Sequence, residues 1–247
     1  MRRVRSYYKK DGGVVEEYLA EHINECLSLL EKLKVSRIGR VGLNLDKNYL
    51  TEVKLSVVFH DLGKAFYENL SSFAGHEIFS TYLLHEFKKN LIKKNMNNSK
   101  ILEPAKFAVA FHHHPMNIEN RIEKISKIRL HPSFVENLQN ELSFLEDKAL
   151  SKEERKLLND VLNELKIKIG KNGLQTNDIK MEFQEICRTL WRYFVASRKE
   201  DIILKRASYL TLISLVTADY IAASKKRGGE TRFGNVIEEV YRFYFYN

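Results

Sequence analysis

Residues 50–66 read LTEVKLSVVFHDLGKAF, an apolar helical run that ends in polar side chains. The apolar residues at 55 and 57–59 predict that this helix faces the core, so His60 and Asp61 lie at its buried end. Burying an imidazole beside a carboxylate costs several kcal/mol unless the groups are paired or bind a cation. The segment therefore predicts a helical core with a metal site inside it.

Gly63 and Lys64 complete this phrase. We expect Gly63 to let the chain turn, and helical geometry returns Lys64 to the face of His60 because it lies four residues later. On its own a His-Asp pair is common, and a hydrogen-bonded core pair would explain it equally well. The metal interpretation therefore depends on residues elsewhere in the chain.

Apolar residues recur at helical spacing along most of the 247 residues, with only three prolines and eleven glycines. We predict an all-α fold in a single domain, residues 1–247. The predicted helices span residues 15–33, 50–66, 77–93, 103–113, 132–145, 152–169, 176–197, 202–224 and 234–245. Segments 34–48, 94–99 and 225–232 are predicted loops. Residues 146–180 mix Lys and Glu and contain no histidine, which indicates an accessory helical layer.

The chain carries 41 Lys and Arg against 32 Asp and Glu, a formal charge of +9. This surplus favours a polyanionic partner such as nucleic acid, although many proteins are basic merely for solubility. Cys26 and Cys187 fit no CxxC pattern, so we expect a reducing cytoplasm. The apolar stretch 208–223 is shorter than the roughly 20 residues of a membrane span, and no secretory signal is recognisable, so no membrane association is expected.

All eight histidines precede residue 132. His22 lies within a predicted helix, His76 opens one after a glycine, and three adjacent histidines close one before a proline: His112, His113 and His114. Imidazoles at such positions can point inward. We expect His85 and His131 to be surface or helix-end residues instead, and Cys26 to be a small core residue.

Asp219 lies in a segment that is apolar on nearly every side, where an unpaired ionised carboxylate is strongly disfavoured. A cation should therefore face it. A bound metal is one candidate, and an ion pair with Arg206 is the structural alternative.

The order of these residues resembles a known family. His22, the pair His60-Asp61, His76, the adjacent histidines at 112–114 and Asp219 follow one another as in the HD nuclease domain of the CRISPR-associated interference nuclease-helicase, particularly its standalone archaeal form. The resemblance spans residues 21–222, and its specificity comes from the complete set because each motif is short. It implies the helical fold of the HD superfamily and a metal-dependent nuclease.

The resemblance also implies a role for each matching residue. One metal ion would be bound by His22, His60, Asp61 and Asp219. A second would be bound by Asp61, as a bridge, together with His76, His112 and His113. Lys64 would lie near the reacting phosphate, which makes Asp61 and Lys64 the catalytic pair. Since the family usually shows two adjacent histidines, His113 with His114 stays an alternative to His112 with His113.

Imidazole and carboxylate ligands suit divalent manganese, iron, cobalt, nickel or magnesium. Two such ions about 3.5–4 Å apart would bridge a phosphodiester, acidify a water and stabilise the leaving oxygen during in-line hydrolysis. Lys64 would add positive charge where the phosphorane gathers negative charge.

A basic segment follows Asp219, and we expect it to guide a single strand to the metals: Lys225, Lys226, Arg227 and Arg232. The N-terminal residues 2–10 could also contact phosphates, although a solvated terminus explains them as well. The chain has no G-x-x-x-x-G-K-[ST] loop, so it is not itself an ATP-driven helicase. The resemblance implies a separate helicase subunit within a CRISPR interference complex, with single-stranded DNA, and RNA as a further candidate, as the substrate.

Two rival functions remain open. An HD-type phosphohydrolase acting on nucleotides or cyclic dinucleotides would use the same ligands, although the Gly-Tyr-Pro signature of the cyclic-dinucleotide branch does not follow His114. A non-catalytic nucleic-acid-binding subunit is the rival of another class. Retention of every ligand position together with Lys64 argues against a decayed site.

Overall fold

The computed structural model describes residues 2–9, 15–67, 73–94, 102–113, 118–171, 173–195, 198–227 and 232–245. The predicted all-α class is confirmed, with one small hairpin added. The elements are β1 (Arg5–Lys9), β2 (Val15–Tyr18), α1 (Leu19–Leu29), α2 (Arg37–Leu45), α3 (Tyr49–Phe59), α4 (His76–Lys93), α5 (Glu103–Phe111), α6 (Ile118–Ile125), α7 (Pro132–Leu142), α8 (Lys152–Gly170), α9 (Thr176–Val195), α10 (Lys199–Arg227) and α11 (Arg232–Val240). Short 3₁₀ turns at Leu33–Val35 and Leu62–Phe66 and a π-helical turn at Tyr241–Phe245 complete the described chain.

The N-terminal prediction is wrong, because residues 15–18 form a strand rather than the start of a helix. Strand β2 pairs antiparallel with β1, and α1 begins only at Leu19, whose N–H donates to the carbonyl of Val4 at 2.8 Å. The pairing partner lies about ten residues upstream and satisfies the backbone of β2 from outside the segment. Ser6 and Glu17 of this hairpin are buried. The hairpin therefore reaches into the protein.

The predicted loop at 34–48 is also wrong, because it contains α2. Ser36 caps this helix and accepts a hydrogen bond from the N–H of Gly39 at 3.0 Å. The glycines that suggested a loop serve close packing instead: a Cβ on Gly42 would lie 2.2 Å from the ring of Tyr49. Likewise Lys225 and Lys226 belong to the last turn of α10 rather than to a loop. Helix α6 was not predicted because it is short and largely polar.

Helix α10 lies at the centre of the fold and packs against α5, α3 and α1, while α4 packs against α5, α8 and α9. One continuous apolar core joins most of these helices, and it includes the apolar face of α8 from the segment expected to be accessory. By length and composition, α10 is the one helix among the described residues that could cross a membrane. Half of its most apolar stretch is buried inside the protein, a feature that core helices share.

A buried carboxylate from α3 fixes the start of α5. Glu52 accepts hydrogen bonds from the N–H groups of Leu102 at 2.7 Å and Ala105 at 3.0 Å, which the first turn of a helix would otherwise leave unpaired. Leu102 has a left-handed backbone with φ of 63°, a conformation that costs a non-glycine residue about 1–2 kcal/mol. The hydrogen bonds from Glu52 stabilise the strained backbone of Leu102 and thereby fix the position of α5.

Glycine is required at position 63 because α4 packs closely against it, and not because the chain turns there, as we expected. A Cβ there would lie 2.0 Å from the carbonyl oxygen of His76 and 2.9 Å from the Cβ of Phe79. The N–H of Gly63 donates to the hydroxyl of Ser80 at 2.9 Å. The turn that follows Asp61 therefore rests directly on the first residues of α4.

Replacing Gly63 with Ala should destabilise the protein by about 1–3 kcal/mol, because α4 must move to admit the methyl group. Chemical denaturation would measure the change in the free energy of unfolding. Gly170→Ala is the matched control, since the nearest atom to its added Cβ is 3.5 Å away. Equal losses in the two variants would contradict this role of Gly63.

Candidate metal centre

Four helices and the turn after α3 bring all seven predicted ligands into one cluster. His22 comes from α1, and Asp219 from α10. The others lie at element ends: His60 and Asp61 follow α3, His76 opens α4, and His112 and His113 follow α5. The resemblance implied that these residues lie together, and in the structure they do.

The first half of the cluster contains His22, Cys26, His60 and Asp219, whose candidate ligand atoms all lie within 4.8 Å of one another. Asp219 Oδ1 is 3.0 Å from His22 Nε2 and 3.7 Å from His60 Nε2. The alternative pairing of Asp219 with Arg206 is wrong. Arg206 lies thirteen residues earlier on the same helix, which at 1.5 Å per residue places it about 20 Å away along the axis.

The second half contains His76, His112 and His113, whose ligand atoms also lie within 4.8 Å of one another. The ring centroids of His112 and His113 are 4.0 Å apart, and each lies 5.1–5.5 Å from that of His76. Both residues of the preferred pair are thus in the cluster. His114, the alternative, lies outside the described residues.

Asp61 lies between the two halves and presents one oxygen to each. Its Oδ1 is 2.8 Å from His76 Nε2, and its Oδ2 is 3.5 Å from His60 Nε2 and 3.7 Å from His22 Nε2. The ammonium of Lys64 donates to the same Oδ2. A carboxylate in this position can bridge two cations.

Backbone carbonyls orient three of the imidazoles. Nδ1 of His60, His76 and His112 lies 2.7–2.8 Å from the carbonyl oxygen three residues earlier in each case. Because a carbonyl only accepts, Nδ1 is the donor, and the lone pair of a neutral ring is on Nε2. Those three Nε2 atoms are buried and make no hydrogen bond within the described part of the chain.

Three buried acceptors without donors, facing two carboxylates, would be costly in a packed core. A divalent cation satisfies such atoms, so these residues fit a metal site. The structure therefore contains a buried His, Cys and Asp cluster that could hold a metal ion.

Both carboxylates are held ionised. Burial alone raises the pKa of Asp61, but the neighbouring His60, Lys64 and His76 lower it more, to well below the usual range. Burial likewise raises the pKa of Asp219, and its contacts with His22 and His60 bring it well below the usual range. The cluster thus carries two ionised carboxylates in a largely buried site.

Two imidazoles of the second half, those of His112 and His113, are held neutral. Burial, assisted by the nearby His60 and His76, lowers the pKa of His112 to about 4. Burial and His112 also lower the pKa of His113. Neutral imidazoles and ionised carboxylates are the forms that bind metals.

His22 differs from these rings. Burial lowers the pKa of His22, but neighbouring Cys26, Asp219 and Glu17 together raise it well above its ordinary value. Its Nδ1 lies 3.4 Å from Glu17 Oε1. Glu17 and Asp219 therefore favour the protonated form of His22, and a bound cation would take the place of the proton on Nε2.

The hairpin supplies two site residues that the sequence did not reveal. Ser6 donates from its hydroxyl to Asp61 Oδ2 at 3.3 Å, and its oxygens accept from Lys64 Nζ at 3.2 Å. Glu17 lies beside His22. No local signal marked Ser6 or Glu17, because strand pairing places them. Cys26 had a signal, its spacing of one helical turn from His22, but we assigned it to the core.

Lys225, Lys226 and Arg232, which we expected to bind nucleic acid, are not among the candidate ligands, although Lys226 Nζ lies 3.8 Å from Glu17 Oε1. Lys225 and Lys226 are exposed near the end of α10, where they pair with Glu25 and Glu21 of α1. Arg232 is exposed at the start of α11. The side chain of Arg227 and residues 228–231 lie outside the described part. His131 caps α7, a helix-end position as predicted, whereas His85 is half-buried in the middle of α4, where it contacts Glu182; neither belongs to the groups of candidate ligands.

The cluster meets solvent at Asp219, whose side chain is 22% exposed, and at half-buried His113. Beside it runs an apolar groove of about 580 Å³ that is lined by His112 and by aromatic side chains of four helices: Phe107, Phe111, Trp191, Tyr209 and Phe233. We call this the aromatic groove. A ligand in the groove would contact the cluster at His112.

Neither a protein-family model, nor a curated protein, nor a solved structure matches the chain. The functional assignment therefore depends on the geometry of the cluster itself.

Proposed function

We propose that this protein is a metal-dependent phosphodiesterase that hydrolyses single-stranded DNA, with RNA as a further substrate. The observation that carries the proposal is the convergence of five imidazoles on two buried carboxylates, with Asp61 between the two groups. The sequence order of these residues, which resembles the HD nuclease domain of CRISPR interference, supports the same assignment.

The residues fit two divalent ions, drawn from manganese, iron, cobalt, nickel or magnesium. His22, His60 and Asp219 would hold one ion, His76, His112 and His113 the other, and Asp61 both. Bound ions would neutralise charge on a phosphodiester and lower the pKa of the attacking water.

The chain's own residues position the reaction. The scissile phosphate would approach from the side of Asp219 and His113, because these ligands are the partly exposed ones. Lys64 keeps Asp61 ionised through their direct contact, and its charge lies where the phosphorane becomes most negative. The hydroxyl of Ser6 holds Asp61 in the same orientation.

The aromatic groove supports a substrate that carries bases. Trp191 is 65% exposed although it is large and apolar, and it lies in the groove that His112 borders. Aromatic side chains bind single strands by stacking on successive bases without regard to sequence. The net charge of +9 further favours a polymer with many phosphates.

The exposed cations at the end of α10 and the start of α11 would guide the strand, namely Lys225, Lys226 and Arg232, with Arg227 between them in sequence. To bind there, a strand must displace Glu25 from Lys225 and Glu21 from Lys226. Duplex opening would fall to a separate helicase subunit of a cytoplasmic CRISPR interference complex, since this chain has no phosphate-binding loop.

A nucleotide phosphohydrolase is the second candidate. The volume of the aromatic groove lies within the range of about 300–1,000 Å³ that is typical of small-ligand sites. The nuclease and the phosphohydrolase can be distinguished by whether the protein prefers a polymer or a nucleotide as its substrate.

The central assay uses chelated protein, each divalent cation in turn, and labelled single-stranded DNA, double-stranded DNA, RNA and a nucleotide panel. Single-stranded DNA should be cut only with metal, and Asp61→Asn should lower the rate by about 100-fold or more, because one bridging ligand serves both ions. His85→Ala, outside the cluster, should retain the wild-type rate. Hydrolysis confined to nucleotides would support the phosphohydrolase, and no turnover would support a binding subunit.

Trp191 is the sole tryptophan, so a change in tryptophan fluorescence reports on binding near this groove residue. Oligothymidylate should quench it, and Trp191→Ala should weaken binding by about 5- to 150-fold, since stacking on one base is worth about 1–3 kcal/mol. Met181→Ala, an exposed apolar residue on the same helix outside the groove, is the control. Unchanged fluorescence and affinity would exclude base stacking at this groove.

A further inference from the structure

Cys26 occupies a position that a core residue does not explain fully. It lies one helical turn after His22 on α1 and is completely buried, with Sγ 3.7 Å from His22 Nε2. Side chains four residues apart share a helix face, so α1 directs an imidazole and a thiol at the same point. The Sγ atom lies within 4.8 Å of the ligand atoms of His60 and Asp219 as well.

His60 gives an independent indication that a cation belongs at this point. The ring is completely buried, its Nδ1 is bound to the carbonyl of Val57, and its Nε2 makes no hydrogen bond within the described residues. That Nε2 lone pair points into the group that contains Cys26. Packing alone would leave it unsatisfied.

The separations match those of ligands around one ion. Bond lengths of about 2.0 Å to nitrogen and 2.3 Å to sulfur, at a tetrahedral angle, put the two ligand atoms about 3.5 Å apart. The observed distance from His22 Nε2 to Cys26 Sγ is 3.7 Å. The distances from Asp219 Oδ1 to the two imidazoles, 3.0 and 3.7 Å, lie on either side of the roughly 3.3 Å expected for nitrogen and oxygen.

We propose that Cys26 is a metal ligand in the half of the cluster formed by His22, His60 and Asp219, where it binds as a thiolate after its proton is released to water. This inference rests on the proposed metal centre. Thiolate and imidazole ligands favour zinc, cobalt or ferrous iron over magnesium and calcium. The second half, with three imidazoles and Asp61, contains no sulfur, so the two halves differ in metal preference.

The test loads the full chain with cobalt(II) without oxygen and records its absorption. A thiolate ligand gives a near-ultraviolet charge-transfer band that imidazole and carboxylate ligands do not give. The wild-type protein should show this band together with the visible bands of bound cobalt. Cys26→Ser should lose the charge-transfer band completely and keep the visible bands.

Cys187→Ser is the matched control, because Cys187 is the only other cysteine and lies outside the cluster on α9; it should keep both sets of bands. A wild-type spectrum without the charge-transfer band, or a band that survives Cys26→Ser, would overturn the inference. Circular dichroism would show whether Cys26→Ser folds.

X-ray absorption of the zinc-loaded wild type decides the matter without any variant. One sulfur at about 2.3 Å supports the inference, and a shell of nitrogen and oxygen alone at about 2.0–2.2 Å overturns it. Neither spectrum depends on turnover. A thiolate band without hydrolysis would support Cys26 as a ligand and contradict the nuclease function. Hydrolysis without the band would support the nuclease function and contradict Cys26 as a ligand.

Discussion

The structure depends on one buried carboxylate, that of Asp61. Its two oxygens face imidazoles from opposite halves of the cluster, and Lys64 and Ser6 contact the Oδ2 that faces His22 and His60. An ionised carboxylate in a site of low polarity is tolerated only when such partners surround it. Helices α1, α3 and α4 and the hairpin therefore all meet around this residue, and their mutual packing fixes the positions of the ligands.

The residues that support the site are different from those that could take part in a reaction. Glu52 holds the start of α5, and Gly63 lets the turn after Asp61 rest on α4. Neither residue contributes a side chain to the cluster, yet each fixes an element that carries a candidate ligand. Rigid support of this kind preorganises metal ligands, since it removes the need to order them when an ion binds. A bound ion would then offset the cost of the buried acceptors.

Much of the site could be predicted from the sequence, because its carboxylates and imidazoles lie in or beside apolar segments, where buried polar groups need a partner. A carboxylate in the apolar α10 and a His-Asp pair at the end of the apolar α3 required cations, and both lie in the cluster. What failed were inferences from local composition. The glycines of α2 suggested a loop, whereas they permit close contact with Tyr49 and Leu33. The hairpin was missed because strand pairing is not local. Ser6 and Glu17, which lie on this hairpin, were missed for the same reason. Cys26 is buried in the core, as predicted, and its sulfur also lies in the group of candidate ligand atoms, which the sequence alone did not indicate.

If the cluster is a two-ion centre bridged by Asp61, the ions can be located by diffraction from crystals grown with manganese or zinc, with data collected at the absorption edge of the metal. We expect two anomalous peaks about 3.5–4 Å apart on either side of Asp61. A map with a single peak, or with no peak beside Asp61, would contradict it.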